Sequence, residues 1–213
     1  MKTPKRIGYK QLNKMFNGFD ENDPLLTVKF PSRRRYGQVD YHELIIISAL
    51  IQSLLPKRVF EFGRFDGLTT LNLIKAAPKS NIFTLDLPSK NINKAKFKLS
   101  SDKVKYERTA QRIAHRRWKD AKVNDRITEI LMDSASFCPR TYKGGILHKS
   151  IDLVFIDGNH NYEYVRRDTE ASLEMINSKG IIIWHDYFKR SFPGVTAYIA
   201  EFAESHVVSL LSG

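Results

Sequence analysis

Apolar residues in this chain follow two alternating patterns. Short apolar runs, such as 58–62 and 151–156, are typical of strands that a sheet buries on both faces. Between the runs, apolar residues recur every three or four positions, which predicts helices that pack one face on the sheet. The strands predicted in this way are 58–62, 81–86, 127–131, 151–156, 181–184 and 207–211.

Prolines and glycines mark where the predicted helices begin and end. Residues 44–55 have helical spacing up to Pro56, and a second helix follows Gly67 and stops near Pro78. Further helices are predicted over 106–121, over 165–176 with a stop at Gly180, and over 195–202. Because strands alternate with helices, we predict an α/β fold with a doubly wound, mostly parallel sheet and right-handed crossovers.

The first 38 residues lack both patterns. They are polar and basic and contain Pro4, Pro24 and Pro31, so we expect residues 1–38 to form a basic lead-in or lid over the cleft. A chain of 213 residues that is 42% apolar suits one α/β domain, and two would be cramped. We therefore assign residues 39–213 to a single domain.

Positive charge is concentrated in one segment. Residues 90–126 hold 13 Lys and Arg against 4 Asp and Glu, which accounts for 9 of the formal net charge of +12. We interpret 90–126 as a basic helical insertion, because an apolar stripe from Tyr106 to Ala121 runs beside a basic one. The basic stripe consists of Arg108, Arg112, His115, Arg116, Lys119 and Lys122. A solvated face, an anionic substrate, a partner subunit or nucleic acid would each explain it.

Cysteine content and hydropathy indicate where the protein works. Cys138 is the only cysteine, which excludes an intrachain disulfide and favours a reducing cytoplasm. The longest apolar run, 44–51, is far too short to cross a bilayer, and no apolar run follows the basic residues near the start. We therefore expect a cytoplasmic protein that does not bind membranes.

The first long strand runs into a turn bracketed by Gly63 and Gly67, the outline of a phosphate or nucleoside site. The glycines permit a sharp turn and a close approach by a ligand. Asp86 ends the next strand 23 residues after Gly63, near the spacing at which an acidic residue reaches ribose hydroxyls. A purely structural turn is the alternative, because this pattern also occurs in α/β proteins without a ligand there.

Polar residues also follow the later strands. They are Asp133, Asp157, His160, His185 and Asp186. Because the carboxyl ends of parallel strands share one cleft, we expect these side chains to converge. Asp157 and Asp186 would offer hard oxygen ligands to one divalent cation. Helix capping or loop closure is the alternative for Asp133 and Asp186, and His185 could ligate the metal, contact a ligand or pack behind the last strand.

Five motifs of this chain occur together over residues 40–205. They are Glu61-x-Gly63-x-x-x-Gly67, Leu85-Asp86, Asp133-Ser134, Asp157-Gly158-x-His160-x-Tyr162 and Trp184-His185-Asp186-Tyr187. Together they resemble a class I S-adenosylmethionine-dependent methyltransferase with its Rossmann-like fold. Within that class, the chain resembles methyltransferase family 24 in particular, which is related to the catechol and macrolide-sugar O-methyltransferases.

The resemblance implies roles for most of these residues. Those implied to bind the cofactor are Glu61, Gly63 and Gly67 at its methionine end, Asp86 at its ribose, and Asp133 and Ser134 by its adenine. In the metal-dependent relatives, the position of Asp157 and the pair after the fifth strand bind magnesium, and the position of His160 acts as the base. The resemblance therefore implies a Mg²⁺ site at Asp157, His185 and Asp186, with His160 and Asp157 as catalytic residues.

The chain departs from the family pattern in three places. Arg64 and Asp66 stand where many methyltransferases have further glycines, so the approach to the cofactor would be tighter. His185 stands where the magnesium-using relatives often have an acid. The sequence ends at Gly213, after the sixth predicted strand, whereas this fold normally adds a seventh, antiparallel strand. We expect a sheet without that strand, whose exposed edge could pair in a homodimer.

The sequence favours O-methylation of a small-molecule hydroxyl with S-adenosylmethionine, with magnesium assistance as an option. A nucleic-acid methyltransferase is the first alternative, motivated by the basic stripe. The chain lacks an Asn/Asp-Pro-Pro-Tyr/Phe tetrad like that of the amino-group nucleic-acid methylases. A non-catalytic module that binds the cofactor is the second alternative. The acceptor itself is left open, since acceptor pockets are built from loops without a shared pattern.

Overall fold

The structure is a computed structural model that describes residues 5–7, 28–31, 35, 37–88, 95–97 and 101–211. Most of the predicted lead-in, residues 1–38, lies outside the described residues. So do the side chains of Tyr106 and Arg108 in the predicted basic helix. Within the described part, no helix is both long enough and apolar enough to cross a membrane.

Strands and helices alternate along the described chain. The elements are β1 (Lys5–Ile7), α1 (Tyr41–Leu54), β2 (Arg58–Phe62), α2 (Leu68–Ala76), β3 (Asn81–Asp86), α3 (Ser101–Asp120), β4 (Ile127–Leu131), β5 (Ile151–Ile156), α4 (Tyr162–Met175), β6 (Ile176–Trp184), α5 (Pro193–Phe202) and β7 (Ser209–Leu211). The four strands β2 to β5 coincide with the runs predicted from the sequence. Their apolar runs are short and sharply bounded, which is why their ends could be predicted.

Five strands form one parallel sheet in the order β4-β3-β2-β5-β6. Phe60 of β2 pairs with Phe83 of β3 on one side and with Val154 of β5 on the other. The strand order reverses at β2, and open α/β sheets bind ligands in the crevice beyond the carboxyl ends at such a point. For the described residues, the predicted doubly wound parallel sheet without an antiparallel last strand is confirmed.

The last predicted strand, at 207–211, does not join this sheet. β7 pairs instead with β1 in a separate two-stranded parallel sheet, with Lys5 opposite Ser209 and Ile7 opposite Leu211. The sequence predicts a lead-in without regular elements, and the structure has a strand there. A strand of three residues in a polar stretch has no apolar period, so the pattern could not reveal it.

Gly180 does not end a helix, in contrast to the sequence prediction. α4 ends at Met175, and Gly180 lies inside β6 at a register shift in its pairing with β5. A Cβ at Gly180 would overlap the side chain of Ile176 and approach the carbonyl oxygen of Asp152 to 2.9 Å. The glycine is therefore required by close packing at an irregularity of the strand, a second common reason for glycine.

Helices cover both faces of the five-stranded sheet. One core cluster joins Leu44 of α1, Leu73 of α2 and Trp118 of α3 to the sheet. On the other face, Phe62 of β2 packs in a cluster with Met175 of α4. The helices thereby bury both faces of the sheet, so a ligand would reach it at the carboxyl ends of its strands, which we call the crevice.

Candidate functional site

The turn after β2 touches the turn after β5. Gly63 has a φ of 86°, and a Cβ at this position would overlap the carbonyl oxygen of Asp157. Its N–H donates to the carbonyl of Leu85 at 2.9 Å. The predicted glycine is therefore required by a close approach of two backbone segments. The contact brings the two sides of the crevice together at one point.

Gly67, at the start of α2, is required by the packing of α3. Its φ is 71°, and a Cβ there would lie 2.6 Å from Nε1 of Trp118 and 2.9 Å from Cβ of Ala114. Nε1 of Trp118 also donates to the carbonyl of Gly67 at 3.2 Å. The apolar face of the basic helix is therefore seated directly on the turn.

Glu61 is fully buried near the end of β2. Its Oε2 accepts hydrogen bonds from the hydroxyls of Thr70, at 2.6 Å, and Thr84, at 2.7 Å. Its Oε1 has no hydrogen-bond partner in the described part of the chain. Burial raises the pKa of Glu61 to about 8, although the two threonine hydroxyls lower it. The carboxyl therefore keeps its proton at neutral pH and has one oxygen available to a ligand.

Asp86 ends β3 beside the same turn. Its Oδ2 accepts from the N–H of Phe65 at 2.9 Å and its Oδ1 from the N–H of Leu87 at 2.8 Å. Nε of Arg64 lies 3.8 Å from Oδ2, and the same guanidinium pairs with Glu129. Backbone donors thus fix the carboxylate at the crevice. Each oxygen keeps a further lone pair for a hydroxyl group.

Asp133 caps the short 3-10 turn Ser134–Ser136, because its Oδ1 accepts from the N–H of Ala135 at 3.0 Å. Its Oδ2 accepts from the N–H of Lys96 at 2.6 Å and lies 3.4 Å from the hydroxyl oxygen of Tyr164. The capping alternative raised by the sequence is thus realised for Asp133. Asp133 and Ser134 nonetheless lie at the same edge of the sheet as Asp86.

On the other side of the crevice, Asp157 and Asp186 follow the neighbouring strands β5 and β6 and meet His160. Nε2 of His160 lies 2.7 Å from Oδ2 of Asp186 and 3.7 Å from Oδ1 of Asp157. Neither approach has hydrogen-bond geometry, and both ring nitrogens lack a hydrogen-bond partner among the described residues. The ring stacks on Phe192 with centroids 3.8 Å apart. The imidazole is therefore held in place with a nitrogen available for a proton or a cation.

His185 bridges three carboxylates. Its Nε2 lies 2.9 Å from Oε2 of Glu43, and its Nδ1 lies 3.2 Å from Asp157 and 3.1 Å from Asp186. Burial lowers the pKa of His185, but the three carboxylates raise it well above its usual value. The carboxylates therefore favour the protonated ring, and both of its nitrogens already lie beside a carboxylate.

Two residues of this cluster were not singled out from the sequence. Lys189 pairs with Oδ1 of Asp186 and lies 3.9 Å from Glu43. Burial of the Asp186 carboxyl raises its pKa. Contacts with His160, His185 and Lys189 lower it by more and hold the pKa of Asp186 well below its usual range. Glu43 was hidden because it completes the capping box of α1 with Asp40. The only feature of the sequence that pointed to Lys189 was its position three residues after Asp186.

Among the described residues, one group could hold a metal ion: Asp157, His160 and Asp186. Their candidate ligand atoms lie within 4.8 Å of one another. His185 does not belong to this group. Two carboxylate oxygens and one imidazole nitrogen suit Mn²⁺ or Zn²⁺ better than Mg²⁺, which prefers oxygen ligands alone.

The crevice therefore has two chemically different halves. The nucleoside half consists of the turn 63–67 with Glu61, Asp86 and Asp133. The ionic half consists of Asp157, His160, His185 and Asp186. The first half offers fixed oxygen acceptors and backbone amides, which suit a nucleoside ligand. The second half can accept a proton or hold a cation, which suits activation of an oxygen nucleophile.

Comparisons with known proteins show the family and the fold of this chain. A family model for a methyltransferase domain matches residues 60–187. No curated protein sequence is significantly similar to this chain. An S-adenosylhomocysteine-bound methyltransferase from Podospora anserina has a TM-score of 0.56 and 16% identity, covering 79% of this chain and 72% of that one. The O-methyltransferase TomG from Streptomyces achromogenes, in complex with S-adenosylmethionine, has a TM-score of 0.57 and 16% identity, covering 92% and 76%.

A third solved structure has the same fold. It is an O-methyltransferase from Bacillus cereus in complex with S-adenosylhomocysteine, with a TM-score of 0.58 and 15% identity, covering 80% of this chain and 73% of that one. At these identities the likeness concerns the fold. The family model matches more than half of the chain and therefore shows the family to which the chain belongs.

Proposed function

This chain belongs to methyltransferase family 24, a family of class I S-adenosylmethionine-dependent methyltransferases, and we propose that it methylates a hydroxyl oxygen of a small molecule. The observation that carries the proposal is the contact between the turns after β2 and β5. Gly63 of the nucleoside half lies against the backbone of Asp157 in the ionic half. A methyl donor bound in the first half would thus present its methyl group to an oxygen held in the second.

The nucleoside half supports binding of S-adenosylmethionine. Two of the solved relatives are described as complexes with S-adenosylhomocysteine and one as a complex with S-adenosylmethionine. We assign the ribose hydroxyls to Asp86, whose oxygens keep free lone pairs. The amino group of the methionine part would meet Oε1 of Glu61, the buried oxygen without a partner, and its positive charge would favour release of the proton from this carboxyl. The cofactor supplies an electrophilic methyl group when it is bound.

The ionic half supports removal of a proton from the acceptor. A neutral hydroxyl is a poor nucleophile, so its proton must leave as the new carbon–oxygen bond forms and the sulfur–methyl bond breaks. His160 can take that proton at Nε2, which faces the cluster and lacks a hydrogen-bond partner. Asp186, 2.7 Å away, would stabilise the resulting imidazolium.

A divalent cation fits the same cluster. The orphaned nitrogen of His160 and the oxygens of Asp157 and Asp186 are close enough to share one ion. A cation bound there would occupy the lone pair of His160 and would act in place of this base, because it would lower the pKa of the acceptor hydroxyl. We therefore propose that Asp157, His160 and Asp186 bind one divalent cation, which is Mg²⁺, Mn²⁺ or Zn²⁺. His185, as an imidazolium, would orient the two aspartates.

The test is methyl transfer from labelled S-adenosylmethionine to a panel of phenols, sugars and aliphatic alcohols, each run with EDTA, Mg²⁺ or Mn²⁺. We expect the label in a methyl ether. The EDTA arm shows whether the cation is needed. Label on nitrogen, or binding of the cofactor without any turnover, would contradict the proposal of O-methylation.

The exposed cations of α3 favour a second candidate, methylation of a nucleic acid. Arg112, Arg116, Lys119 and Lys122 are all exposed along this helix and its C-terminal end. Such a surface binds phosphate backbones with a strong dependence on salt. A gel shift with RNA and DNA at two salt concentrations, followed by a methyl-transfer assay on the bound species, separates the two candidates.

A further inference from the structure

Asp66 lies in the turn between β2 and α2, and only 1% of its surface is exposed. Its Oδ2 accepts hydrogen bonds from Nε2 of Gln38 at 2.7 Å and from Nη2 of Arg117 at 3.0 Å. Its Oδ1 lies 3.3 Å from the N–H of Leu68, the first residue of α2, and accepts from it. One buried carboxylate therefore joins the segment before α1, the turn and α3.

Arg117 holds both the side chain and the backbone of Asp66. Its Nε donates to the carbonyl oxygen of Asp66 at 3.2 Å, while Nη2 donates to the carboxylate. A guanidinium presents these donors in a rigid fork. The next residue of α3, Trp118, donates to the carbonyl of Gly67. Two consecutive residues of the helix thus restrain two consecutive residues of the turn.

The turn needs such restraints. Gly63, Phe65 and Gly67 all have positive φ, and for Phe65, with a φ of 48°, this region is strained. Glycine adds conformational freedom that folding must remove. Without an external contact, a segment of this composition would sample other conformations in which its amides face elsewhere.

We propose that Asp66, held by Arg117 and Gln38, is a positioning residue that fixes the turn in the conformation that receives S-adenosylmethionine. The proposal rests on the proposed function, because it assigns the turn to the methionine part of the cofactor. It also gives a reason for an aspartate where many methyltransferases have glycine. In this chain the turn is rigidified by a helix that docks on it, and the inner side of the basic segment belongs to the cofactor site.

The experiment is calorimetric titration of S-adenosylhomocysteine into the full chain, which requires no acceptor. Arg117→Met should weaken binding by about tenfold, since a charge-assisted fork is lost. The matched control is Arg116→Met, which removes a neighbouring exposed arginine on the same helix and should change affinity less than about twofold. Arg117→Lys keeps the charge without the fork and should lie between the two.

Adenosine separates positioning from general damage. It lacks the methionine part, so Arg117→Met should weaken its binding less than that of S-adenosylhomocysteine, although Phe65 of the turn also holds Asp86 at the ribose. An equal loss of adenosine and S-adenosylhomocysteine affinity would overturn the positioning role. Asp66→Asn combined with Arg117→Met should lose little more than Arg117→Met alone, because both changes remove one interaction.

Failure of the two proposals can be told apart. If wild type binds no S-adenosylhomocysteine, the proposed function itself fails. If wild type binds it and Arg117→Met binds equally well, only the positioning role is wrong. Should Arg117→Met fail to fold, as judged by circular dichroism, Gln38→Met replaces it. That variant removes the contact from the segment before α1 and should weaken the binding of S-adenosylhomocysteine more than that of adenosine.

Discussion

The two halves of the crevice hold their carboxylates in different ways. In the nucleoside half, Asp86 and Asp133 accept well-aligned hydrogen bonds from backbone N–H groups, and Glu61 accepts them from two hydroxyls. In the ionic half, Asp157 and Asp186 are balanced by His160, His185 and Lys189 at short distances, often without hydrogen-bond geometry. Directional hydrogen bonds hold the first half in place, whereas charge balance holds the second together.

This difference follows from the tasks we assign to the halves. A nucleoside is recognised by acceptors and amides that must already be in place, because ordering them on binding would cost affinity. Deprotonating a hydroxyl requires groups that change their proton or cation occupancy during the reaction. A cluster of imidazole nitrogens and carboxylates that lie close together without directional hydrogen bonds can gain or lose a proton or a cation. Variants that affect one half only test whether the two halves act separately.

The largest expected effect is on catalysis and belongs to the ionic half. His160→Ala should lower kcat by about 10²–10⁴-fold, as loss of a general base does. Affinity for S-adenosylhomocysteine should stay within about twofold, because His160 is not part of the nucleoside half. Single-turnover methyl transfer and calorimetry on the same preparation measure both. His42→Ala, which changes an exposed histidine of α1, is the control. Equal activity of the two variants would remove His160 from the chemistry.

The next effect concerns the pH dependence of stability and belongs to the nucleoside half. The folded pKa of Glu61, about 8, lies above its ordinary value of 4.5, so between these two values the native state binds the extra proton. Stability should therefore fall as pH rises through this window, by up to about 1.4 kcal/mol per pH unit, and level off above pH 8.

Urea unfolding at pH 5, 6, 7 and 8, read in wild type and Glu61→Gln, measures this slope. The amide cannot ionise, so Glu61→Gln should remove the contribution of this residue and flatten the curve. Thr70→Val is a useful companion, since it removes one hydroxyl that donates to Glu61 while keeping the carboxyl. Parallel curves for wild type and Glu61→Gln would show that the carboxyl titrates normally.

Cofactor affinity should respond to Asp86 and leave the ionic half unchanged. Asp86→Ala removes a charge-assisted acceptor, which costs about 1.5–3 kcal/mol, or roughly ten- to a hundredfold in the Kd of S-adenosylhomocysteine. Mn²⁺ binding, if wild type shows it, should persist in Asp86→Ala and be lost in Asp157→Ala. Asp125→Ala, an exposed aspartate before β4, is the control. Unchanged affinity in Asp86→Ala would rule out the ribose contact.

Much of the nucleoside half could be predicted from the sequence, because it depends on local signals. Apolar runs bounded by polar residues located β2 to β5, and the position of Asp86 at the end of β3 followed from them. Gly63 was predicted for a ligand's approach, and the structure adds a neighbouring backbone that requires the same glycine. Local patterns thus identified the position of Gly63. The contact that requires a glycine there is made by Asp157, which lies far along the chain.

The ionic half was predicted only in part. Asp157, His160 and Asp186 follow strands, so their convergence could be predicted from strand order alone. The environment of His185 could be predicted only in part, because Asp157 and Asp186 follow strands but Glu43, its third carboxylate, is 142 residues away in the sequence. Likewise, the sequence alone does not distinguish Arg117, which reaches Asp66, from Arg116, which is exposed. Ion pairs between distant residues have no periodic signature.

The smallest expected effect is on the outer face of α3, which touches neither half. Arg112 and Arg116 are exposed, whereas the contacts of α3 with the turn come from Arg117 and Trp118. The double variant Arg112→Glu, Arg116→Glu should therefore leave the Kd of S-adenosylhomocysteine within about twofold, since exposed charges contribute little at physiological salt. A large loss of affinity would mean that this face belongs to the cofactor site. If the face binds a nucleic acid, the same variant should abolish a gel shift that wild type shows at low salt, because reversed charges repel phosphates. Lys149→Glu and Lys179→Glu, which change charges elsewhere on the surface, should leave that shift in place.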